Sequence, residues 1–170
     1  PINTQTGALE ACIATPSGPL RVLSVHLAHV GVAERLAQIA ALKAALWPVG
    51  PWSGKDDEPT RNWTEGESEP PCPAEMIWMG DFNSEPGSTE YRAIVGEVPY
   101  HPGALHRGAM VDAAAGLGLP SHEKRIAGEL RLRQLDHIFV AASLAPRLGK
   151  VWTDTACPAS DHFPLWAELD

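Results

Sequence analysis

Three short stretches bring acid–base or cation-binding side chains together. Gly80-Asp81-Phe82-Asn83 follows the apolar run Met76-Ile77-Trp78-Met79, a pattern typical of a buried strand. A strand would present Asp81 and Asn83, two residues apart, on one face at its end, where sites on sheets are commonly built. Asp can hold a hard cation or accept a proton, and Asn can donate to a phosphate oxygen. The same residues also suit a turn. Ser160-Asp161-His162-Phe163-Pro164 sets a hard-cation ligand beside an imidazole that moves protons near neutral pH, although a plain surface loop reads the same way. Asp136 interrupts the apolar Leu135-Asp136-His137-Ile138-Phe139-Val140. Buried, its carboxylate needs a partner such as an imidazolium; on an edge strand it would face water. His26 closes an alternating run, and His26-x-x-His29 is a weak zinc pattern with no third ligand at a usual spacing, so His29 reads as structural.

The elements that must position these residues follow from periodicity and turn chemistry. Ala8–Thr15 and Leu20–Leu27 read as strands joined by Pro16-Ser17-Gly18-Pro19. Val32, Leu36, Ile39, Leu42 and Leu46 recur at helical steps in Ala-rich sequence, with Glu34 near the start and Pro48 and Gly50 past the end. Residues 48–75 hold six prolines, seven acidic and two cationic side chains and little periodicity, and read as a long loop inserted in a single domain spanning 1–170. Ser88 is placed to cap a short helix through Ile94. A second short helix is expected over Val111–Gly116, and a cationic loop over 117–133. Strands are expected at Gln134–Val140, Val151–Ala156 and Phe163–Leu169. One clear crossover helix among strands gives a mixed α/β class.

Composition bounds the function. The chain has 170 residues, a 44% hydrophobic fraction and a formal net charge of −8, which suit one globular domain and disfavour a broad basic nucleic-acid face. No apolar run approaches the ~18 residues of a membrane span, and PINTQTGALE shows neither the charged nor the apolar region of a signal peptide. Cys12, Cys72 and Cys157 are odd in number and widely spaced, which reads as unpaired thiols.

The order of motifs is more specific than any one of them. A strand ending His26-Leu27 comes first, then a helix with Glu34-Arg35-Leu36-x-Gln38, then Gly80-Asp81-Phe82-Asn83. Leu135-Asp136-His137-Ile138-Phe139-Val140 and Ser160-Asp161-His162-Phe163-Pro164 follow. This resembles the endonuclease/exonuclease/phosphatase superfamily of metal-dependent phosphoesterases, from about Ala8 to Leu169. That group includes pancreatic-type deoxyribonucleases, abasic-site endonucleases, neutral sphingomyelinases and inositol polyphosphate 5-phosphatases. The resemblance implies a two-sheet α/β sandwich. It implies that His162 is the catalytic histidine and Asp136 the carboxylate paired with it. Asp161 corresponds to a ligand of the divalent metal, Mg²⁺ or Mn²⁺. Asp81 and Asn83 correspond to the pair that handles the nucleophilic water, the phosphate and, in some members, a metal. His26 corresponds to a histidine that contacts the scissile phosphate.

The sequence departs from the family in one respect. Members begin with a first half that supplies an Asn and a metal-binding Glu, and nothing before Ala8 corresponds to it. The chain is therefore expected to be the C-terminal part of the fold, with its N-terminal portion absent and supplied by a partner segment or compensated by self-association. The expected reaction is metal-assisted hydrolysis of a phosphate ester, with Asp81 acting on water and Asn83 and His26 donating to the developing charge. The expected substrate is a phosphorylated small molecule, a phospholipid headgroup or nucleic acid, with a small phosphodiester, headgroup or sugar phosphate favoured over duplex DNA. Lys124, Arg125, Arg131 and Arg133, offset by Glu123 and Glu129, are the one cationic cluster. The competing expectations are a catalytically inactive fragment or binding module of the same fold, with the tryptophans of the 48–75 region as its contact element, and a zinc hydrolase built on His26 and His29.

Overall fold

The structure is a computed structural model, and it describes residues 6–46, 73–97 and 109–170. The 48–75 region, with Trp52, Trp63 and Cys72, lies almost wholly outside the described residues, as does Trp47.

Alternation and turn chemistry generate a five-stranded mixed sheet. β1 (Gly7–Thr15) and β2 (Gly18–His26) form an antiparallel hairpin, with Gly18 at φ 119° where it pairs with Thr15. α1 (Val32–Leu46) carries the chain over to β3 (Met76–Asp81), which runs parallel to β2. α2 (Thr89–Val95) is capped by Ser88, whose Oγ accepts from Tyr91 N. β4 (Met110–Asp112) and β7 (Asp136–Ala141) complete the sheet in the order β1-β2-β3-β7-β4. Between them, β5 (His122–Ile126) and β6 (Glu129–Arg133) form a separate hairpin. A 3₁₀ turn at Ala145–Arg147 leads into β8 (Leu148–Thr153), which pairs with β9 (Leu165–Leu169).

Two expectations are corrected. Residues 111–116 are not a helix: Met110–Asp112 pairs with β7, and a turn follows. Asp112 takes the bend by accepting from Ala114 N through Oδ1, the local bond that lets Asp compete with helix. Residues 122–133 are not a loop but the β5–β6 hairpin. Both of its faces are largely exposed, so no inside–outside alternation marks it. Its turn is Ala127-Gly128, both at positive φ (51° and 87°), the geometry of a tight hairpin.

The sheet has two unlike faces. On one, Leu23, Trp78 and Phe139 lie in register and pack with Ile39 of α1 and Ile94 of α2 into the core. On the other, Leu9, Ser24, Met79 and Ile138 form the corresponding row, and Leu9 is 74% and Met79 40% exposed. Among the described residues no helix is long and apolar enough to cross a membrane.

α1 is joined to the site end of the sheet through polar contacts. Arg35, in the expected Glu-Arg-Leu-x-Gln stretch, is buried and pairs with buried Glu90 of α2 (Nη2 to Oε1, 2.5 Å). Its Nη1 donates to the carbonyls of Ala28 and His29, and Gln38 Oε1 accepts from Ala28 N. The helix thus fixes the chain that leaves His26. Arg35→Ala would strand the Glu90 carboxylate in the interior. We expect it to cost about 3–5 kcal/mol, read as a lowered urea midpoint with an unchanged m-value, whereas a surface change such as Glu34→Gln should move the midpoint little.

Candidate active site

Register, rather than any single motif, assembles the site. β2, β3 and β7 pair so that His26 stands opposite Asp81 and Asp81 opposite Asp136. Directly paired residues share a face, so one cross-strand row ends the sheet on the face opposite the helices. The row forms because Gly80, at φ 133°, lets β3 lie against β2: a Cβ there would sit 2.1 Å from the Val25 carbonyl oxygen. Leu27 N donates to Asp81 O and Phe82 N to Leu135 O, extending both ladders past the row.

Asn83 joins Asp81 by a route other than strand alternation. β3 stops at Asp81, and Asn83 lies in the following turn at φ 48°, a left-handed conformation that Asn tolerates. Its backbone N–H donates to Asp81 Oδ1 (2.8 Å) and its Nδ2 to Asp81 Oδ2 (3.1 Å) and Leu27 O (2.9 Å). Both amide donors are therefore committed. What Asn83 retains for a ligand is its carbonyl oxygen, which alters the expected role: it cannot donate to a phosphate without giving up one of these bonds.

The final loop brings the second motif over the row. His162 Nδ1 lies 2.7 Å from Asp136 Oδ2, and its Nε2 lies 4.0 Å from Asp81 Oδ2. His26 Nε2 approaches the same Asp81 oxygen at 3.7 Å. The loop is held by backbone bonds: Phe163 N donates to Ser121 O, and Glu123 N to Asp161 O. Ser121 is fully buried, and its Oγ accepts from both Leu135 N and Asp136 N. It pins the Asp136 backbone and the His162 loop to one another, a role invisible in a sequence where it is one serine among several. Beneath the row, Ser24, Met79, Ile138, Phe163 and Leu165 line a cavity of about 400 Å³ that reaches Asp136 and His162.

The structure also adds two histidines. His122, at the start of β5, is buried, its ring packs edge-on to His162 at 4.8 Å, and its Nε2 lies 3.7 Å from Asp161 Oδ2. His122, Asp161 and His162 are the one grouping of three such side chains among the described residues whose ligand atoms all lie within 4.8 Å of one another. The His26–His29 pair belongs to no such grouping, and His29 is exposed. His137, next to Asp136, faces the helix side and is wholly buried. Its Nε2 donates to Ser84 O (2.9 Å), behind the Asn83 turn, and its Nδ1 lies 3.3 Å from Asp112 Oδ2, which also accepts from Tyr91 Oη. Burial first, and Asp112 second, raise the Tyr91 phenol above its ordinary range, so it stays a donor. His137 stands inside a motif of the sequence, yet only the packing shows that it supports the turn.

Electrostatics follow from this crowding. Burial raises the Asp81 carboxyl above its ordinary value, and adjacent Asp136 adds to the rise, against the Asn83 N–H bond and the two histidines. Burial works against a charged His162, but the bond to Asp136 and the carboxylates of Asp136, Asp81 and Asp161 outweigh it, and the imidazole titrates above its ordinary value. Burial and the neighbouring His162 lower His122. The carboxylates of Asp81 and Asp161 and the Asn83 carbonyl are hard oxygen donors of the kind a divalent cation takes, while the grouping drawn within 4.8 Å, His122, Asp161 and His162, sets one carboxylate among two imidazoles. The Asp161 side chain is 71% exposed, open to a ligand. Of the thiols, Cys12 and Cys157 are free, and neither joins that grouping.

No protein-family model matches the chain, and no curated protein matches it in sequence. Solved structures match its backbone. The endonuclease domain of TRAS1, a telomere-specific non-LTR retrotransposon, superposes with a TM-score of 0.59 at 12% identity, over 98% of this chain and 70% of that one. TDP2 from D. rerio, complexed with a single-strand DNA product, gives 0.59 at 17% identity, over 98% of this chain and 62% of that one. The mannosyl-6-phosphatase Bt3783 of Bacteroides thetaiotaomicron gives 0.53 at 17% identity, over 89% and 51%. The chain therefore has the endonuclease/exonuclease/phosphatase fold, and it spans between half and seven-tenths of the length of these structures.

The His162–Asp136 pair carries a pH signature. Because folding raises the His162 pKa, its contribution to stability is complete below the ordinary imidazole value of 6.5 and is lost as pH rises through the folded-state value. Asp136→Asn removes the accepting charge. The His162 Cε1–H resonance should then titrate at lower pH than in the parent protein, and an unmoved titration would show that Asp136 does not govern the ring.

Proposed function

We propose that this chain carries the hydrolytic site of a metal-dependent phosphoesterase. The observation that supports it most is the His162 Nδ1–Asp136 Oδ2 bond of 2.7 Å set beside Asp81, on the cross-strand row that ends the sheet. The likeness of the backbone to both an endonuclease domain and a sugar phosphatase supports the reaction class and leaves the ester open.

In this reading each residue has a part that its surroundings support. Asp81, raised by burial and held by two Asn83 donors, takes the proton of the attacking water. Asp136 fixes the orientation and tautomer of His162, leaving Nε2 to face the phosphoryl group as a donor when the ring is charged. His26, half-exposed at the row's edge, donates to a non-bridging phosphate oxygen. Asp161, Asp81 and the Asn83 carbonyl would hold Mg²⁺ or Mn²⁺. Such an ion, when bound, supplies Lewis-acid stabilisation of phosphoryl and leaving-group charge. Leu9, Ile13 and Met79 stay exposed, Leu9 and Met79 on the site's face, and their cover by a complementary segment or a second copy is part of this reading.

The test is hydrolysis of bis(p-nitrophenyl) phosphate by the protein as its gene encodes it. Turnover should require Mg²⁺ or Mn²⁺ and stop with EDTA. Asp81→Ala and His162→Ala should each lower kcat by about 10²–10⁴-fold without unfolding the protein. Rates near the parent's in either variant would remove these assignments.

A further inference from the structure

The β5–β6 hairpin places three of its four cations on one face, with the Ile126–Glu129 pair at its tip. His122 pairs with Arg133, and Lys124 with Arg131, so these four side chains share one face; Arg125 pairs with Leu130 and Glu123 with Leu132, on the other. The first face is the one whose His122 ring meets His162. A stripe of cations therefore leaves the proposed catalytic group and runs outward along the hairpin. Successive pairs are about 7 Å apart, two residues of antiparallel strand, the scale of successive phosphates along an extended polynucleotide. Arg133 is also tied to the catalytic turn, its Nε bonded to Glu85 Oε1 at 2.8 Å.

We propose that this face is a phosphate-tracking arm for a single polynucleotide strand, whose scissile phosphate reaches His162 and whose neighbouring phosphates meet Arg133, then Lys124 and Arg131. The inference rests on the phosphoesterase reading and supplies its substrate class. The present partners of two of these cations are displaceable: Arg131 pairs with Glu129, and Arg133 with Glu85, at sites where every side chain is at least 41% exposed, and such solvent-exposed pairs are weak. A one-dimensional stripe suits one strand better than a duplex, which needs cations on both sides of a groove. A membrane surface fits less well, because the exposed apolar side chains are divided between the faces: Leu130 and Leu132 lie away from the Lys124–Arg131 pair, and of the three only Ile126 lies beside it. The net charge of −8 does not oppose this reading, since phosphate contacts are local: on this face of the hairpin Lys124, Arg131 and Arg133 stand against one carboxylate, Glu129.

The probe is a labelled oligothymidylate, bound to an Asp81→Ala background that prevents cleavage, with anisotropy measured across a salt series. The double variant Lys124→Gln/Arg131→Gln should lower the slope of log K against log salt by about 1.4, at ~0.7 for each phosphate of a single strand that is no longer neutralised. Arg125→Gln, on the opposite face, should leave the slope unchanged. In the Asp81-intact protein, the double variant should hydrolyse bis(p-nitrophenyl) phosphate, which carries no further phosphates, at the parent rate. An unchanged slope in the double variant, or an equal decrease in Arg125→Gln, overturns the arm. So does binding to phosphatidylserine-containing vesicles that the double variant loses while oligothymidylate binding persists. Absent hydrolysis by the parent protein with the slope change intact would instead refute the phosphoesterase reading and leave the arm standing.

Discussion

Two carboxylates, Asp81 and Asp136, stand opposite one another on adjacent antiparallel strands, and the rest of the site is arranged around that fact. Side by side and partly buried, they repel, and part of the rise in the Asp81 carboxyl comes from this neighbour. The pair persists because cationic or donating groups close on it from three directions: His162 from the final loop, His26 from β2 and the Asn83 turn from β3 itself. The result is a site that concentrates negative charge and then partly neutralises it with titratable groups.

The sheet separates support from the candidate site by its two faces. On the helix side, apolar packing through Trp78, Phe139, Ile39 and Ile94 is joined by two buried polar assemblies. Arg35 and Glu90 brace the chain after His26, and Tyr91, Asp112 and His137 brace the turn after Asp81. Both reach the ends of β2 and β3 from behind, so the row on the opposite face is held by groups that never enter it. Ser121 does the same for the third strand, tying Asp136 to the loop that carries His162. Buried polar groups with satisfied partners impose geometry where apolar packing would tolerate small shifts.

Much of this is legible in the residues. The β1–β2 hairpin, α1, β3, β7 and the Ser88 cap follow from periodicity and turn chemistry, because each has one buried face or one strong breaker. The β5–β6 hairpin is not, because both its faces are wet and the pattern that reveals a strand is the pattern of burial. The 111–116 stretch misleads for the opposite reason: Ala-rich sequence favours helix locally, but pairing of Met110–Asp112 with β7 and the Asp112 bond to Ala114 N decide otherwise. Strand alternation would bring Asp81 and Asn83 to one face; they meet instead because Asn83 adopts a left-handed turn.

By itself the sequence determined which side chains could do chemistry, in what order they occur and which local elements carry most of them, since those depend on residue type and short-range spacing. The tertiary structure decided the register that aligns His26, Asp81 and Asp136, the arrival of His162 from 26 residues beyond its Asp136 partner, the commitment of both Asn83 donors and the face on which the hairpin cations lie. These are contacts between residues far apart in the chain, set by which strands pair and how they align. A one-residue slip in any ladder would have turned the same side chains to the other face.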